Sequence, residues 1–311
     1  QMIRGETADL LTTSIAEAAA RVESARAKIN LALHVRGRRP DGYHDLDSLV
    51  VFTELADVLS VAPHEEPSIE IGIDGPFADR LAETTPPADN LVYAVADALI
   101  RSFPDRAPEG IRIELAKNLP LAAGIGGGSA DAAAALRLLN RTWQVGLTLE
   151  QLMELGVHIG ADVPACVLSR PALIEGIGDQ VTPIALPEIP LVLVNPGVAV
   201  ATPDVFGRLR LANKSPLPPL PAGFASVMEV VLWLRKTRND LFEPACSIAP
   251  VIERVVRMLA GDPDCVFTRM SGSGATVFGI FPTIDAATAA AERLRAAQPD
   301  WWIAVTRTEA S

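Results

Sequence analysis

From Val22 onward apolar residues recur at every second position, and Ile29, Leu31, Leu33 and Val35 mark one side of a strand over Val22 to Val35. Lys28 and Asn30 fall together on the other side, because side chains along a strand alternate with a period of two. Gly37, Pro40 and Gly42 are expected to end that strand. Further apolar segments at Asp47 to Phe52, Asp57 to Pro63 and Ser68 to Ile73 predict strands, the last closing on the turn Asp74-Gly75-Pro76. A helix is expected from Asn90, a good N-cap, to about Phe103, with Leu91, Val92, Val95, Ala98 and Leu99 at helical spacing. Gly110 to Ala116 alternates again, the alanine-rich Ala130 to Asn140 has strong helix propensity, and Thr148 with Gln151 forms a capping box for a helix to about His158.

The second half is punctuated differently. Pro183, Pro187 and Pro190 precede a strand at Leu191 to Asn195, and Pro216 to Pro221 reads as a surface loop. Helices are expected at Phe224 to Lys236, Ile248 to Leu259 and Ile284 to Gln298. Strands are expected at Cys265 to Met270, Thr276 to Phe281 and Trp302 to Thr306. Several short strands come before any long helix, so the chain does not begin as a simple βαβ repeat. The pattern divides the chain into an N-terminal part at 22–180 and a C-terminal part at 181–308.

Composition narrows what such a chain does. Its 311 residues are 49% hydrophobic, enough for a substantial core, and 27 Lys plus Arg against 38 Asp plus Glu give a net charge of −11. That balance argues against nucleic-acid binding through a broad basic face, but it does not oppose an anion site built from backbone N–H groups. The three cysteines, Cys166, Cys246 and Cys265, form no disulfide framework and no C-x-x-C pair, and are read as thiols of a reducing, cytoplasmic compartment. No uninterrupted apolar run is long enough to span a membrane. The Ala-rich Ile15 to Ala20 sits in a ragged terminus rather than a secretory signal.

The chemistry concentrates at Gly124, Gly126, Gly127 and Gly128, followed by Ser129 and at once by a helix. Successive amides beside glycine can turn toward one ligand, and a helix start adds its own N–H groups and partial positive charge. Together they describe a phosphate cradle. A plain turn is the alternative, at a cost of roughly 0.5–1 kcal/mol of backbone entropy for each glycine relative to alanine. The spacing is neither that of the P-loop, since no Lys follows, nor that of G-x-G-x-x-G, since Ser129 stands at the third glycine. Ser129 either caps the helix or offers its hydroxyl to a phosphate or Mg²⁺. Lys28, in an apolar run, either snorkels to water or pairs with a carboxylate. Asp162, between Gly160-Ala161 and Val163-Pro164, reads on its own as a helix cap or turn residue.

Three segments in order resemble the motifs of the GHMP kinases: Ala27 to Leu31 (A-K-I-N-L), Pro120 to Ala132 (P-L-A-A-G-I-G-G-G-S-A-D-A) and Met270 to Phe278 (M-S-G-S-G-A-T-V-F). The resemblance implies an α+β, two-domain fold with nucleotide and substrate in the crevice between domains. It implies ATP and Mg²⁺ as cofactors and Asp162 as catalytic base with Lys28 beside it. Gly124, Gly126, Gly127, Gly128 and Ser129 would hold the phosphates, Asn90 the adenosine or only its helix, and Gly272, Ser273 and Gly274 would buttress the glycine loop. Metal ligands are not evident, Ser129 being the single candidate. Ala122 and Ala123 stand where the family often has more glycine, and are expected to remove left-handed backbone options there.

Within the family, Ala27 to Leu46, Ile159 to Pro164, Asn195 to Phe206 and Arg238 to Ala245 are similar to the branch that phosphorylates a CDP-linked methylerythritol in non-mevalonate isoprenoid synthesis. On that resemblance Asn30, Tyr43, His44, Thr202 and Phe206 would bind the substrate. Tyr43 and Phe206 would sandwich the cytosine, with a neutral His44 at its polar edge. Asp240 would be structural, and Asp131 would hold the first-turn amides of its helix. The expected partner is this small molecule, with neither nucleic acid nor membrane, in a monomer or homodimer. The rival functions are another GHMP kinase, acting on homoserine, mevalonate or a sugar, and a nucleotide-binding protein without catalysis, which would not need both Lys28 and Asp162.

Overall fold

The computed structural model describes residues 21–210 and 214–309, so the stretch Ile15 to Ala20 lies outside the described residues. Two long strands, β1 (Val22–Arg38) and β2 (His44–Pro63), pair antiparallel and form the spine of the first sheet. The other edge of β2 is shared end to end. Leu46 to Val50 pair with β5 (Ala172–Gly176), and Val58 to Pro63 pair with β4 (Ile111–Ala116). Outside these lie β3 (Ile69–Asp74), parallel to β4, and β6 (Gln180–Pro183), antiparallel to β5. The second sheet runs β10 (Trp302–Arg307), β7 (Pro190–Asn195), β9 (Val277–Ile280), β8 (Phe267–Met270), all antiparallel.

Helices cover both sheets. In chain order they are α1 (Ala78–Thr84), α2 (Leu91–Ser102), α3 (Gly127–Thr142), α4 (Leu149–Val157), α5 (Val163–Leu168), α6 (Thr202–Gly207), α7 (Val227–Leu234), α8 (Phe242–Ile248), α9 (Val251–Ala260) and α10 (Ile284–Ala297). The alanines of α3 are buried, and small side chains let this helix lie close against β1, α2 and α5. A second apolar cluster joins Leu33 and Val35 of β1 to α9 and α10, and a third joins Ala27, Ile29 and Leu31 to Leu191, Leu193, Phe278 and Ile280 of the second sheet. β1 thus serves both halves of the molecule.

Several boundaries differ from the sequence expectation, each for a physical reason. β1 continues past Gly37 to Arg38, because Gly37 pairs with Asp45 and the turn comes only at residues 39–43. The two segments Asp47 to Phe52 and Asp57 to Pro63 are one strand, since β1 pairs along nearly all of it through register shifts. β1 is also buried on both faces from Ala27 to Val35, so Lys28, Asn30 and His34 meet polar partners rather than water. Helix α3 begins at Gly127, not Ala130, and α7 is shorter than its apolar pattern. The short elements α1, α5, α6, α8, β5 and β6 have too few residues to display a period, and packing makes them. None of the helices among the described residues is long and apolar enough to cross a membrane.

Candidate active site

A cleft of about 1070 Å³ runs between the glycine loop, β1, the turn between β5 and β6 and the N-terminus of α6. It is lined by Lys28 and Asn30 of β1, His44 and Ser48 of β2, Gly124 and Gly126 to Ser129 of the loop, Asp162, Thr202, Phe206, Gly272 and Ser273. Lys28 is buried and donates to Asp162 Oδ1 at 2.5 Å, while the Asp162 side chain remains about half exposed to the cleft. Asp162 stands at the N-cap position of α5 but makes no capping hydrogen bond, so its carboxylate is committed to Lys28 and the cleft rather than to the helix. The backbone also ties the two parts of the site together, Lys28 N–H donating to Ile125 O of the loop at 2.9 Å. Two residues along, Asn30 donates to Ser48 Oγ at 2.9 Å, and its own N–H meets Ser271 Oγ at 3.0 Å. A carboxylate held by a buried ammonium at the rim of an anion cradle is suited to accept a hydroxyl proton.

The loop is shaped by what lies behind it. Gly124 has φ +72°, and a Cβ there would fall 2.5 Å from Ser271 O and 2.7 Å from the Gly274 nitrogen. Ser271 Oγ donates to Gly124 O at 2.9 Å, and Thr276 N–H to Ala123 O at 3.1 Å, so the third motif buttresses the loop. Ser271 carries that contact and was not singled out from the sequence. Of the expected trio, Gly272 and Ser273 face the cleft, and Gly274 sits behind it against Met270 and Ile252. Gly126 caps α3 with φ +67°, and the first helical bond is Ala130 N–H to Gly126 O at 2.8 Å. The amides of Gly127, Gly128 and Ser129 are therefore not used by the helix. Ala122 has φ +48°, so alanine did not remove the left-handed conformation here; the loop imposes it. Asn90 caps α2 through Val92 N–H at 2.9 Å, its neighbour Leu91 lining the cleft.

At the other end, His44 and Phe206 stack on each other with centroids 4.8 Å apart and planes 28° apart. Tyr43 is 58% exposed at the mouth. The structure thus brings the three aromatic groups together, with His44 rather than Tyr43 facing Phe206. Burial and the nearby Arg38 charge lower the His44 pKa, which favours neutral imidazole. Thr202 and Ser273 share a hydrogen bond of 2.8 Å, joining the aromatic end to the glycine motif. Asp240 accepts from Val35 N–H at 2.7 Å and from Arg238 at 2.6 Å, a fixed strut between β1 and the loop before α8.

Asp131 departs from its expected role. It does not bind first-turn amides: its Oδ2 accepts from Lys117 at 2.6 Å, and Lys117 also pairs with Asp57. An Asp on the fifth residue of a helix has turned past the amides and faces the sheet, where a buried cation waits. Burial lowers the Lys117 pKa, but Asp131 and Asp57 outweigh it and the net shift is upward; burial raises Asp131 to about 7. Burial pushes Cys166 up to about 12 and Cys246 and Cys265 to about 11, which keeps them as protonated thiols at neutral pH. Among the described residues no three His, Cys, Asp or Glu side chains group to hold a metal.

The sequence and the fold are shared with known proteins. Residues 90–170 match the GHMP kinases N terminal domain and residues 233–300 match the GHMP kinases C terminal domain. The 4-diphosphocytidyl-2-C-methyl-D-erythritol kinase of Chelativorans sp. is 46% identical over 288 residues, 92% of this chain and 96% of the relative. That of Dinoroseobacter shibae is 48% identical over 283 residues, 91% of this chain and 93% of the relative. A crystal structure of 4-(cytidine 5'-diphospho)-2C-methyl-D-erythritol kinase superposes with a TM-score of 0.74 at 34% identity, covering 93% of this chain and 99% of that one. A homoserine kinase from Cytophaga hutchinsonii shares the fold alone, with a TM-score of 0.67 at 17% identity over 93% of this chain and 94% of that one. The chain belongs to the GHMP kinase family, in its 4-diphosphocytidyl-2-C-methyl-D-erythritol kinase branch.

Proposed function

We propose that this chain transfers the γ-phosphoryl group of ATP to the 2-hydroxyl of 4-diphosphocytidyl-2-C-methyl-D-erythritol, a step of non-mevalonate isoprenoid precursor synthesis. The observation that carries the reading is a single cleft holding the glycine loop, the Lys28–Asp162 pair and the His44–Phe206 stack. Asp162 orients the hydroxyl and takes its proton as the oxygen attacks phosphorus. Lys28 holds that carboxylate in place through their ion pair. The amides of Gly127, Gly128 and Ser129 receive phosphate oxygens at the start of α3, where the helix dipole favours anions. Asn30, fixed by Ser48 and Ser271, offers a polar contact beside the reacting hydroxyl.

The aromatic end suits a pyrimidine. The stacked Phe206 and His44 rings and Tyr43 at the mouth offer flat surfaces for the base, and neutral His44 has one ring nitrogen as donor and the other as acceptor for its polar edge. Thr202 lies at the same end. The loop amides and the Ser129 hydroxyl fit a nucleotide–magnesium complex, with Ser129 as the protein's candidate ligand and the phosphates as the others. Magnesium supplies charge neutralisation on the phosphates when bound.

The test is a purified-protein assay with ATP and Mg²⁺ across CDP-methylerythritol, homoserine and mevalonate. Turnover confined to the CDP-linked alcohol is expected. Comparable or faster turnover of mevalonate would sink the assignment.

A further inference from the structure

Beneath the glycine loop lies an ion cluster drawn from three elements. Lys117, just after β4, is 1% exposed and reaches Asp57 of β2 and Asp131 of α3, the latter at 2.6 Å. Asp57 turns its other oxygen to the amides of Asn118 and Leu119, at 2.6 and 2.8 Å. The two residues that follow Lys117 are thereby anchored to β2. An ammonium has three N–H donors, and these two ion pairs use two of them. Lys117 Nζ lies 3.3 Å from the point where a Cβ on Gly127 would stand, and Lys117 lines the cleft beside Gly126, Gly127 and Gly128.

We propose that Lys117 is a polyphosphate-binding residue, its remaining N–H delivered to a nucleotide phosphate through the gap at Gly127 while Asp57 and Asp131 hold the ammonium in place. The inference rests on the ATP cradle proposed above. Gly127 has ordinary helical backbone, so conformation alone does not demand glycine there. The absent side chain matters because it opens a path from the buried cation to the cleft. A cation fixed by two carboxylates on different elements is already oriented before the ligand arrives, which avoids the entropy cost of ordering a free lysine. If the cluster were only a clamp joining β2 to α3, Asp131 would matter to it as much as Lys117. If Lys117 serves the phosphates, loss of the Asp131 charge leaves the donor in place and removes a nearby repulsion.

Titration calorimetry with a non-hydrolysable ATP analogue and with AMP, on the full chain, separates these. Lys117→Met with Asp131→Asn keeps the formal charge of the cluster and deletes only the donor. That double variant is expected to bind the ATP analogue at least tenfold more weakly while AMP affinity is retained. Asp131→Asn alone is expected to bind the analogue at least as tightly as wild type. Unchanged analogue affinity in the double variant overturns the proposal, and so does an equal loss in Asp131→Asn. If the double variant does not fold, Lys117→Gln with Asp131→Asn carries the test, since the Gln amide can still reach Asp57 while the positive charge is gone. It should weaken the analogue and not AMP, and an unchanged ratio overturns the proposal. A wild-type protein that binds neither nucleotide would instead overturn the kinase reading on which the inference rests.

Discussion

Lys28 Nζ and Asp162 Oδ1 lie 2.5 Å apart although 134 positions separate them in sequence. The lysine is buried in the middle of β1 and the carboxylate projects from the start of α5 into the cleft. An ion pair with one partner buried and the other facing a ligand cleft fixes geometry more than it stabilises the fold.

The pair should therefore act as one unit. Asp162→Asn retains the size of the side chain and removes its charge, so kcat is expected to fall by roughly 10²-fold or more. Lys28→Met should also lower kcat, and the double variant should lose less than the product of the single losses. Single-turnover phosphoryl transfer measured alongside thermal unfolding checks this. A folded Asp162→Asn protein with a near wild-type rate would remove the residue from the mechanism.

Gly124→Ala introduces a Cβ 2.5 Å from Ser271 O at φ +72°. Backbone stands on the other side, so neither neighbour can simply rotate away. A destabilisation of about 1 kcal/mol or more and weaker ATP binding are expected. Denaturant melts and calorimetry on the same preparation measure both.

Ala122→Gly should go the other way. Alanine at φ +48° carries a left-handed cost of roughly 1–2 kcal/mol, against about 0.5–1 kcal/mol for the extra unfolded-state freedom of glycine. A small gain in Tm is expected. A clear loss would mean that the alanine methyl makes a contact worth more than its strain.

Phe206→Ala removes one ring of the stack with His44. The KM for the cytidine-bearing substrate should rise by about two- to tenfold, matching a stacking contribution on the order of 0.5–1.5 kcal/mol. The KM for ATP should hold. An equal rise for both substrates would point to a packing role for the ring.

His34 supplies a pH dependence with a definite sign. Its Nε2 accepts from Arg238 N–H at 3.0 Å and its Nδ1 lies 3.1 Å from Ser215 O, an arrangement that requires neutral imidazole with the proton on Nδ1. Burial first, then the Arg238 charge, lowers its pKa below the usual 6.5, against the opposing pull of the Ser215 and Pro216 carbonyls and of Asp240. The unfolded chain thus takes up the proton first. Stability from this group is present above pH 6.5 and is lost as pH falls below it toward the lowered folded value. Comparing Tm at pH 7.5 and 5.5 in wild type and His34→Gln should show a smaller pH difference in the variant.

Much of this protein was legible in local pattern. The period of two in β1 already set Lys28 and Asn30 apart from the apolar residues. The glycine run before an alanine-rich stretch announced a helix start with unused amides, and the Asn90 and Thr148 caps stand where their side chains predicted. These features depend on a few consecutive residues, so the sequence carries them directly. What it could not carry was the meeting of distant residues: Asp162 turned from its helix toward Lys28, Ser271 behind Gly124, His44 stacked on Phe206, and Asp131 drawn off the first-turn amides by Lys117 and Asp57. Each of those choices sets one hydrogen-bonding or packing partner against another. The outcome rests on which partner the folded sheets bring within about 3 Å, a distance that only tertiary packing sets.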